Sequence, residues 1–326
     1  PNPVFSGAMT RFHTAMNDLG AAAVLTTSDI AARDALATRV EPVYTPEMMD
    51  GTRGNLVKRY PSPDDPAVIQ YSSGSTADPK GIVITHANIA ANCSMMRTSM
   101  QVKSDDVMVS WLPHTHDMGL FGATLCPLWN GITAVLMPPN AFLRRPFRWL
   151  RAMHTHGGTH ATAPDFGYAL AARRAAAPAV ATLDLTRWRC AIVGSEPTQP
   201  DTLRDFAYAM EPAGFSAGAF RNSYGLAEAT LLCATGMPNI DGAEMSCGQP
   251  VMGCDVMICP RPEISDPGCG EIVIAGRHVS PGLWRPESGG CIVEFEGTEI
   301  RAGQRFVPTG DLGRLENGDL YVMDRL

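Results

Sequence analysis

The sequence predicts an α/β fold with layered sheets flanked by helices and a smaller β-rich part towards the end of the chain. Apolar strand-like runs alternate with helix-length segments between residues 61 and 244, an order typical of layered α/β architecture. Beyond residue 245, turn pairs such as Pro267-Gly268 and Asn317-Gly318 separate short β-rich runs. A length of 326 residues favours about two domains.

The first 60 residues contain a helix, a strand and the start of another helix. An amphipathic pattern predicts a helix at Met9–Leu19, an apolar run predicts a strand at Ala21–Thr26, and Ser28 begins the next helix. The Pro- and Asp-rich stretch Tyr60–Pro66 then interrupts the pattern, so a linker is expected there.

The second part alternates strands and helices. Strands are predicted at Ala67–Tyr71, Val107–Trp111, Ala134–Met137 and Cys190–Val193. Helices are predicted at His86–Met100, Pro146–Thr155 and Phe166–Ala176. Further strands are predicted at Val256–Cys259, Glu271–Ala275 and Leu320–Met323. The uncharged stretch between Asp117 and Arg144 is broken by three prolines, which indicates a buried strand and helix pair instead of a membrane span.

Composition excludes several classes of protein. The 26 basic and 33 acidic side chains give a formal charge of −7, which argues against a general nucleic-acid or anionic-membrane binder. The nine cysteines form no C-x-x-C pair, and no signal-peptide pattern opens the chain, so a cytoplasmic protein with reduced thiols is predicted. The basic residues include only three lysines, Lys58, Lys80 and Lys103.

The densest chemical motif is Y-S-S-G-S-T-A-D-P-K-G at 71–81, directly after a predicted strand. Glycines and small hydroxyl residues let backbone N–H groups approach an anion, and Lys80 supplies a positive charge for a polyphosphate. The motif differs from G-x-x-x-x-G-K-[ST] because Gly81 and Ile82 follow the lysine. A solvated Ser/Gly-rich linker is the alternative interpretation.

The loop resembles the signature of the adenylate-forming superfamily, which contains acyl-CoA synthetases, fatty acyl-AMP ligases and peptide-synthetase adenylation domains. Further matches follow in the family's order: W-L-P-H-T-H-D-M-G-L at 111–120, G-S-E-P at 194–197, N-S-Y-G-L-A-E at 222–228, T-G-D-L-G at 309–313 and D-R at 324–325. The first of these, the R-P-F-R-W-L segment and Y-G-L-A-E-A-T-L most resemble fatty acyl-AMP ligases.

The resemblance implies ATP and Mg²⁺ as cofactors and assigns roles to residues. Lys80, Glu228 and His116 are the expected catalytic residues, and Glu228 with Thr76 is expected to hold Mg²⁺. The expected nucleotide-binding residues are Ser72, Ser73, Gly74, Ser75, Thr76, Lys80, Gly194, Ser195, Glu196, Pro197, Asn222, Tyr224, Gly225, Asp311 and Arg325. Of these, Tyr224 with 194–197 would face adenine, and Asp311 with Arg325 the ribose. From the residues alone, Glu228 could equally begin a helix, Tyr224 pack in the core and Asp311 occupy an ordinary turn.

His114-x-His116-Asp117 is the main alternative signal, because H-x-H beside Asp suggests a metallohydrolase. The spacing argues against it, since Met118 and Gly119 follow where a further ligand would be needed. By resemblance, His116 lies on the acyl-carboxylate side of the site. His154–His160 is expected at a helix end and its loop. The acyl pocket is expected between the Met118–Leu125 region, the strand near Ile192–Gly194 and the loop Asn222–Gly225, where the small residues Gly119, Gly122, Ala123 and Gly194 leave a channel.

The resemblance also implies a domain organisation. Residues 1–60 would be the remainder of a first α/β subdomain of the family's large domain. Residues 61–244 would be the nucleotide- and acyl-binding α/β subdomain, and residues 245–326 a barrel-like β-rich subdomain that ends at the hinge. The family's small carboxy-terminal lid domain, with its catalytic lysine, is expected to be absent.

The function that the resemblance implies is ATP-dependent activation of a carboxylic acid to acyl-AMP with release of pyrophosphate, and the resemblance to fatty acyl-AMP ligases implies a fatty acid. The acyl group would pass to the phosphopantetheine thiol of an acyl carrier protein. The short stretch between Glu228 and Gly248 lacks the insertion that fatty acyl-AMP ligases carry there, which leaves coenzyme A open as acceptor. An acyl-CoA synthetase is therefore one alternative. The expected absence of the lid domain and its lysine gives a second alternative, a fragment that binds nucleotide or acyl-AMP with little turnover.

Overall fold

The computed structural model describes residues 8–28, 43–45, 48, 60–72, 80–285 and 291–326. Strands in this part of the chain are β1 (Val24–Leu25), β2 (Val43–Tyr44), β3 (Pro66–Ser72), β4 (Lys80–Thr85), β5 (Val107–Ser110), β6 (Thr133–Leu136), β7 (His160–Ala163), β8 (Cys190–Val193), β9 (Phe220–Gly225), β10 (Leu232–Gly236), β11 (Gln249–Pro250), β12 (Asp255–Cys259), β13 (Gly270–Ala275), β14 (Gly282–Arg285), β15 (Cys291–Val293), β16 (Glu299–Arg301), β17 (Gln304–Glu316) and β18 (Asp319–Arg325).

Helices connect many of these strands. They are α1 (Ala8–Leu19), α2 (His86–Ser99), α3 (Cys126–Asn130), α4 (Pro139–Arg144), α5 (Phe147–His156), α6 (Asp165–Arg174), α7 (Ala177–Val180) and α8 (Pro200–Met210), with a π-helix at Met118–Leu125 and short 3₁₀ turns at Glu211–Ala213, Ala217–Ala219 and Ala227–Ala229. Within the described ranges, every helix falls short of the length and hydropathy that crossing a bilayer would require.

The largest sheet has the strand order β11-β10-β9-β8-β7-β5-β6. Its neighbours from β6 to β9 pair in parallel, whereas β10 and β11 are antiparallel. Parallel pairing brings the carboxyl ends of β5, β7, β8 and β9 to one edge of the sheet, where ligands bind in open α/β folds. The loops that follow these strands contain the predicted site motifs.

Three smaller sheets are present in the described residues, and the first is the two-stranded parallel pair of β1 and β2. The second has the order β12-β13-β17-β16, with β18 also paired to β17. The third has the order β15-β14-β4-β3, so β14 pairs with the hairpin that carries Lys80. The predicted domain limits at 60/61 and 244/245 stay a prediction.

An aromatic cluster forms the centre of the α/β core. Trp149 is fully buried, and its ring lies 5.2 Å from Trp188, 5.3 Å from Tyr168 and 5.8 Å from Phe142, measured between centroids. Trp111 stacks on Phe142 at 3.9 Å. Because edge-to-face and stacked rings add to the effect of buried area, this cluster anchors the helices against the sheet.

Helix α2 connects the α/β core to the β-rich part through buried amides. Thr85 and Asn88 form a reciprocal capping box at the helix start. The Asn88 amide donates to the carbonyls of Arg277 and Val279, and Asn92 pairs with both backbone groups of Leu232. Helix α2 therefore fixes β10 and the 277–279 segment relative to each other.

The sequence predicted most strands and helices within one or two residues, with a few clear errors. The strand at Thr133–Leu136 is mostly exposed, not buried, because β6 is the outer strand of its sheet. His160 lies in the buried strand β7, which the sequence analysis assigned to a helix end and loop. Asp311 lies inside the long strand β17 instead of a turn. The strand expected at Ala21–Thr26 is limited to Val24–Leu25, and the helix expected from Ser28 lies, beyond that residue, outside the described residues.

Candidate active site

A cavity of about 880 Å³ lies at the carboxyl edge of the large sheet. It is lined by residues from the loops after β5, β8 and β9, from β17 and from β18. The predicted site residues on its wall are Lys80, His116, Ser195, Glu196, Pro197, Asn222, Tyr224, Gly225, Glu228, Asp311 and Arg325. The structure therefore brings together side chains that are up to 245 positions apart in the sequence, counting from Lys80 to Arg325.

Four of the predicted phosphate-loop residues, Ser73, Gly74, Ser75 and Thr76, lie outside the described residues. The two ends of the loop are described. The backbone of Ser72 ends β3 and pairs with Lys80 at the start of β4. Lys80 is exposed and lies on the cavity wall.

Tyr224, Asp311 and Arg325 form a connected group on one wall. The Tyr224 hydroxyl donates to Asp311 Oδ2 at 2.6 Å, and Arg325 Nε lies 3.8 Å from Asp311 Oδ1. Asp311 and Arg325 are opposite each other in the β17–β18 pair. Burial raises the pKa of Asp311, while the Tyr224 hydroxyl and the Arg325 guanidinium act in the opposite direction. Both Asp311 oxygens are thus held towards the cavity edge by neighbours on two strands.

Glu228 lies in the 3₁₀ turn Ala227–Ala229 after β9. Its carbonyl accepts from Ser280 N at 2.8 Å, which ties the turn to the segment after β13. Burial raises the pKa of the Glu228 carboxyl, and the nearby Asp311 and Asp117 raise it further against the opposing effect of Arg325. A half-buried carboxylate near two other acidic groups is an oxygen donor suited to a hard divalent cation, so the residues present fit Mg²⁺.

His116 is held by the residue that follows it. Its Nδ1 lies 2.7 Å from Asp117 Oδ1, and the same oxygen accepts from Met118 N at 2.6 Å. The contact with Asp117 raises the pKa of His116, partly offset by burial. Half of the His116 side chain remains exposed towards the cavity.

The π-helix Met118–Leu125 begins directly after this pair. Gly119 packs against Pro113, and a Cβ on Gly119 would lie 2.1 Å from the Pro113 carbonyl oxygen. Any side chain at 119 would therefore displace the turn that carries His116. The π-helical geometry was not predicted from the sequence, although such turns often occur at functional sites.

We expect Asp117→Asn to lower the pKa of His116 towards the ordinary value near 6.5, because the neutral amide removes the partner that stabilises imidazolium. The stability that the pair supplies is present below pH 6.5 and is lost as the pH rises through the folded-state pKa. An NMR titration of the histidine ring protons measures the shift. Asp105→Asn, at an exposed position, is the control. An unchanged His116 titration in the Asp117 variant would contradict the assigned pairing.

The segment Gly194–Pro197 follows β8. Ser195 has a φ of +71°, an uncommon left-handed conformation for a non-glycine residue, and its Oγ contacts Met118 Sδ at 3.7 Å. Gly194 is buried behind the wall instead of on it, and a Cβ there would lie 2.6 Å from Ser223 Oγ. Glu196 Oε1 accepts from Phe166 N, so this side chain anchors the segment to helix α6.

Asn222 is a buried organising residue of the same wall. Its Oδ1 accepts from Thr198 Oγ1 at 2.8 Å, and its Nδ2 donates to the Ser246 carbonyl at 2.7 Å. The side chain thus links the segment after β8 to the stretch before β11. Its amide is used within the protein, which gives Asn222 a positioning role on the wall.

Part of the cavity lining is apolar, and it is called the apolar arm below; its residues are Met96, Met100, Met118, Gly122, Ile192, Leu231 and Leu232. The sequence predicts only some of them. Met118, Gly122 and Ile192 line it as expected, whereas Gly119, Ala123 and Gly194 are not on the wall. The sequence does not predict five further wall residues, which are Met96, Met100, Thr162, Leu231 and Leu232. Met96 and Met100 come from the end of helix α2, and no local motif marks them, because only the packing of α2 on the sheet brings them here.

The chain is similar to known proteins in sequence and in fold. The model of the family described as AMP-binding enzyme matches residues 8–284. The medium-chain-fatty-acid–[acyl-carrier-protein] ligase TtuA of Teredinibacter turnerae is 38% identical over 299 residues, covering 81% of this chain and 47% of that protein. The 4-hydroxyphenylalkanoate adenylyltransferase of Mycobacterium tuberculosis is 32% identical over 372 residues, covering 100% of this chain and 60% of that protein.

A solved structure is also similar. The crystal structure of a fatty acyl-adenylate ligase from L. pneumophila in complex with acyl adenylate and pyrophosphate has a TM-score of 0.79 and 28% sequence identity, covering 98% of this chain and 61% of that one. The chain thus spans about half to three fifths of the length of these proteins. The family model covers most of the chain and the fold agrees with it, and the chain therefore belongs to the AMP-binding enzyme family.

Proposed function

We propose that the protein is a ligase that activates a fatty acid by adenylation, forming acyl-AMP and pyrophosphate from the acid and Mg·ATP. The observation that carries the proposal is the lining of one continuous cavity, which combines charged and polar side chains with apolar ones. The polar wall holds Lys80, Glu228 and Arg325, and the apolar arm is formed by methionine and leucine side chains. An aliphatic carboxylate needs both environments.

The polar wall supports the adenylation step. A carboxylate oxygen attacks the α-phosphorus, the bond to the β,γ-pyrophosphate oxygen breaks, and that oxygen takes the electron pair, so pyrophosphate leaves. Two anions must approach each other, and Lys80 with the 72–76 loop would offset the charge of the phosphates. When bound at Glu228 and Thr76, Mg²⁺ would neutralise phosphate charge. Tyr224 and residues 194–197 would face the adenine, and Asp311 would accept from the ribose hydroxyls.

His116 supports positioning of the acid. His116 lies two residues before the π-helix Met118–Leu125, whose first residue belongs to the apolar arm. His116 itself lines the cavity. A histidine with a raised pKa can donate to a carboxylate oxygen and orient the other oxygen towards phosphorus. In this proposal His116 fixes the reacting end of the acid, while Met96, Met100 and Ile192 contact its tail.

The second half of the proposal is transfer to a thiol. The thiol loses its proton to solvent, the sulfur attacks the acyl carbonyl carbon, the carbon–oxygen bond to AMP breaks, and AMP leaves with the electron pair. The phosphopantetheine thiol of an acyl carrier protein is the favoured acceptor, since TtuA bears that acceptor in its name. A cytoplasmic location belongs to the same proposal and is supported by the free cysteines.

Carboxylate-dependent exchange of ³²P-pyrophosphate into ATP tests the proposal in the full-length protein. We expect exchange with medium-chain fatty acids, and a subsequent coupled reaction with holo acyl carrier protein in preference to coenzyme A. Calorimetry with a nonhydrolysable acyl-AMP mimic distinguishes a pure binding protein, which would bind the mimic without exchange. Absence of exchange across aliphatic, aryl and amino acids would overturn the proposal.

A further inference from the structure

A buried group of cysteine and histidine side chains lies behind the cavity wall that carries Tyr224. This group has no part in the proposed adenylation. Cys233 is in β10, Cys254 directly precedes β12, and His278 follows β13. One ligand atom from each, the two sulfurs and a ring nitrogen, lies within 4.8 Å of the others. All three residues are buried, with exposed fractions of 0%, 5% and 0%. No local sequence motif marks this group, because its members are 21 and 24 positions apart in the sequence.

The histidine is unusual because neither ring nitrogen forms a hydrogen bond. His278 Nδ1 and Nε2 are both fully shielded from solvent and have no partner of acceptable geometry among the described residues. A buried polar atom without a partner is destabilising, because it has lost its hydrogen bonds to water, so native structures rarely keep one unless something else binds there. The two thiol sulfurs are within reach of this ring, and a metal ion placed among them would satisfy one ring nitrogen.

The surrounding backbone is shaped to admit the imidazole. Gly276 has a φ of +147°, and a Cβ at this position would lie 2.7 Å from His278 Cε1 and Nδ1 and 2.5 Å from the Gly253 carbonyl oxygen. The His278 carbonyl accepts from Thr230 Oγ1 at 2.7 Å, which fixes the residue from the other side. The hydrogen bond from Thr230 therefore holds the backbone at His278, and the absence of a side chain at Gly276 leaves room for the ring.

We propose that Cys233, Cys254 and His278 form a Cys₂His site for Zn²⁺. Thiolate sulfur and imidazole nitrogen are the ligands that Zn²⁺ prefers, and two thiolates balance its charge. Binding releases the remaining thiol protons to solvent. Among the described residues no fourth histidine, cysteine or carboxylate joins the group, so a water molecule or small anion completes the tetrahedron.

The site would act as a structural clamp between the two parts of the molecule. Its ligands come from β10 of the large sheet and from the segments beside β12 and β13 of the neighbouring sheet, so a bound ion would join the two sheets directly. Thr230, two residues after Glu228, has a φ of +65° and bonds to His278, and Ser280 bonds to Glu228. Metal binding would therefore also restrain the turn that carries Glu228, without contact with the nucleotide.

Cobalt substitution tests the site directly in the full-length protein. Reduced, chelator-treated protein is titrated with Co²⁺ and then with Zn²⁺. We expect one Co²⁺ per chain with a thiolate-to-cobalt absorption band, and loss of that band when Zn²⁺ displaces it. Cys254→Ser and His278→Gln should weaken binding by at least about tenfold, whereas Cys93→Ser, a buried cysteine outside the group, should bind as the wild type does.

The wild-type spectrum decides the question even if a variant fails to fold. Absence of the thiolate-to-cobalt band, or an unchanged band in Cys254→Ser, would overturn the site. Thiol counting on denatured protein purified without reductant adds a second readout. Every cysteine is expected to be a free thiol after chelation, and a count two below the number of cysteines, with Cys233 and Cys254 cross-linked, would overturn the metal site in favour of a disulfide.

Discussion

Glu228→Gln is expected to lower carboxylate-dependent pyrophosphate exchange by about 100- to 1,000-fold, the range for loss of one preorganised electrostatic group. The substitution keeps the size of the side chain and removes the charge that would hold Mg²⁺ near the phosphates. The 3₁₀ turn keeps its backbone bond from Ser280 in the variant, so stability should change little. Exchange rates at saturating acid and ATP, with urea unfolding curves, measure both quantities.

Glu211→Gln is the matched control, because Glu211 is exposed at the end of helix α8 and away from the cavity. A second readout comes from pH. Because burial and acidic neighbours raise the pKa of Glu228, its protonation should reduce Mg·ATP affinity at a higher pH than an ordinary glutamate would. That acidic limb should disappear in the Gln variant. Exchange within twofold of wild type in Glu228→Gln would contradict the assigned role.

Trp149→Ala is expected to lower the free energy of unfolding by about 3–5 kcal/mol, the range for a large aromatic residue removed from a packed core. Trp149 contacts five other rings of the central cluster, listed here with their centroid distances: Trp111 at 6.4 Å, Phe142 at 5.8 Å, Tyr168 at 5.3 Å, Trp188 at 5.2 Å and Phe206 at 6.5 Å. The cavity left by truncation cannot be filled by neighbours that already pack on one another. Urea-induced unfolding followed by circular dichroism measures the loss.

Trp129→Ala is the control for this prediction. Trp129 is 56% exposed at the end of helix α3, so its removal should change stability by no more than about 0.5 kcal/mol. A loss below about 1 kcal/mol in Trp149→Ala, or an equal loss in both variants, would show that the aromatic cluster does not carry the stability assigned to it.

Local sequence patterns predicted the parts of the fold that depend on local periodicity. The strand at Cys190–Val193 was predicted with its observed bounds, and helix α2 begins at His86 as expected. His160 was misplaced because its strand is only four residues long and carries two polar side chains, which hide the signal of a buried strand. Asp311 was placed in a turn because Thr-Gly-Asp has turn composition, although Gly310 instead permits a positive φ inside a long strand.

The candidate site was predicted from ordered motifs, and its remaining parts depend on tertiary contacts. Glu228, Asp311 and Arg325 meet on one cavity because β9, β17 and β18 converge, which no spacing in the sequence encodes. Met96 and Met100 reach the apolar arm only because buried amides fix helix α2. The Cys233, Cys254 and His278 group was missed for the same reason, since its members come from three separate strand ends.

The central proposal is that the acid and AMP form a mixed anhydride. The most direct measurement uses a fatty acid labelled with ¹⁸O in both carboxylate oxygens. Attack of the carboxylate on the α-phosphorus, followed by thiol attack on the carbonyl carbon, transfers one labelled oxygen to AMP. We expect AMP with a single ¹⁸O and unlabelled pyrophosphate when the full-length protein turns over with a thiol acceptor. Unlabelled AMP, or label in inorganic phosphate, would contradict acyl-adenylate formation.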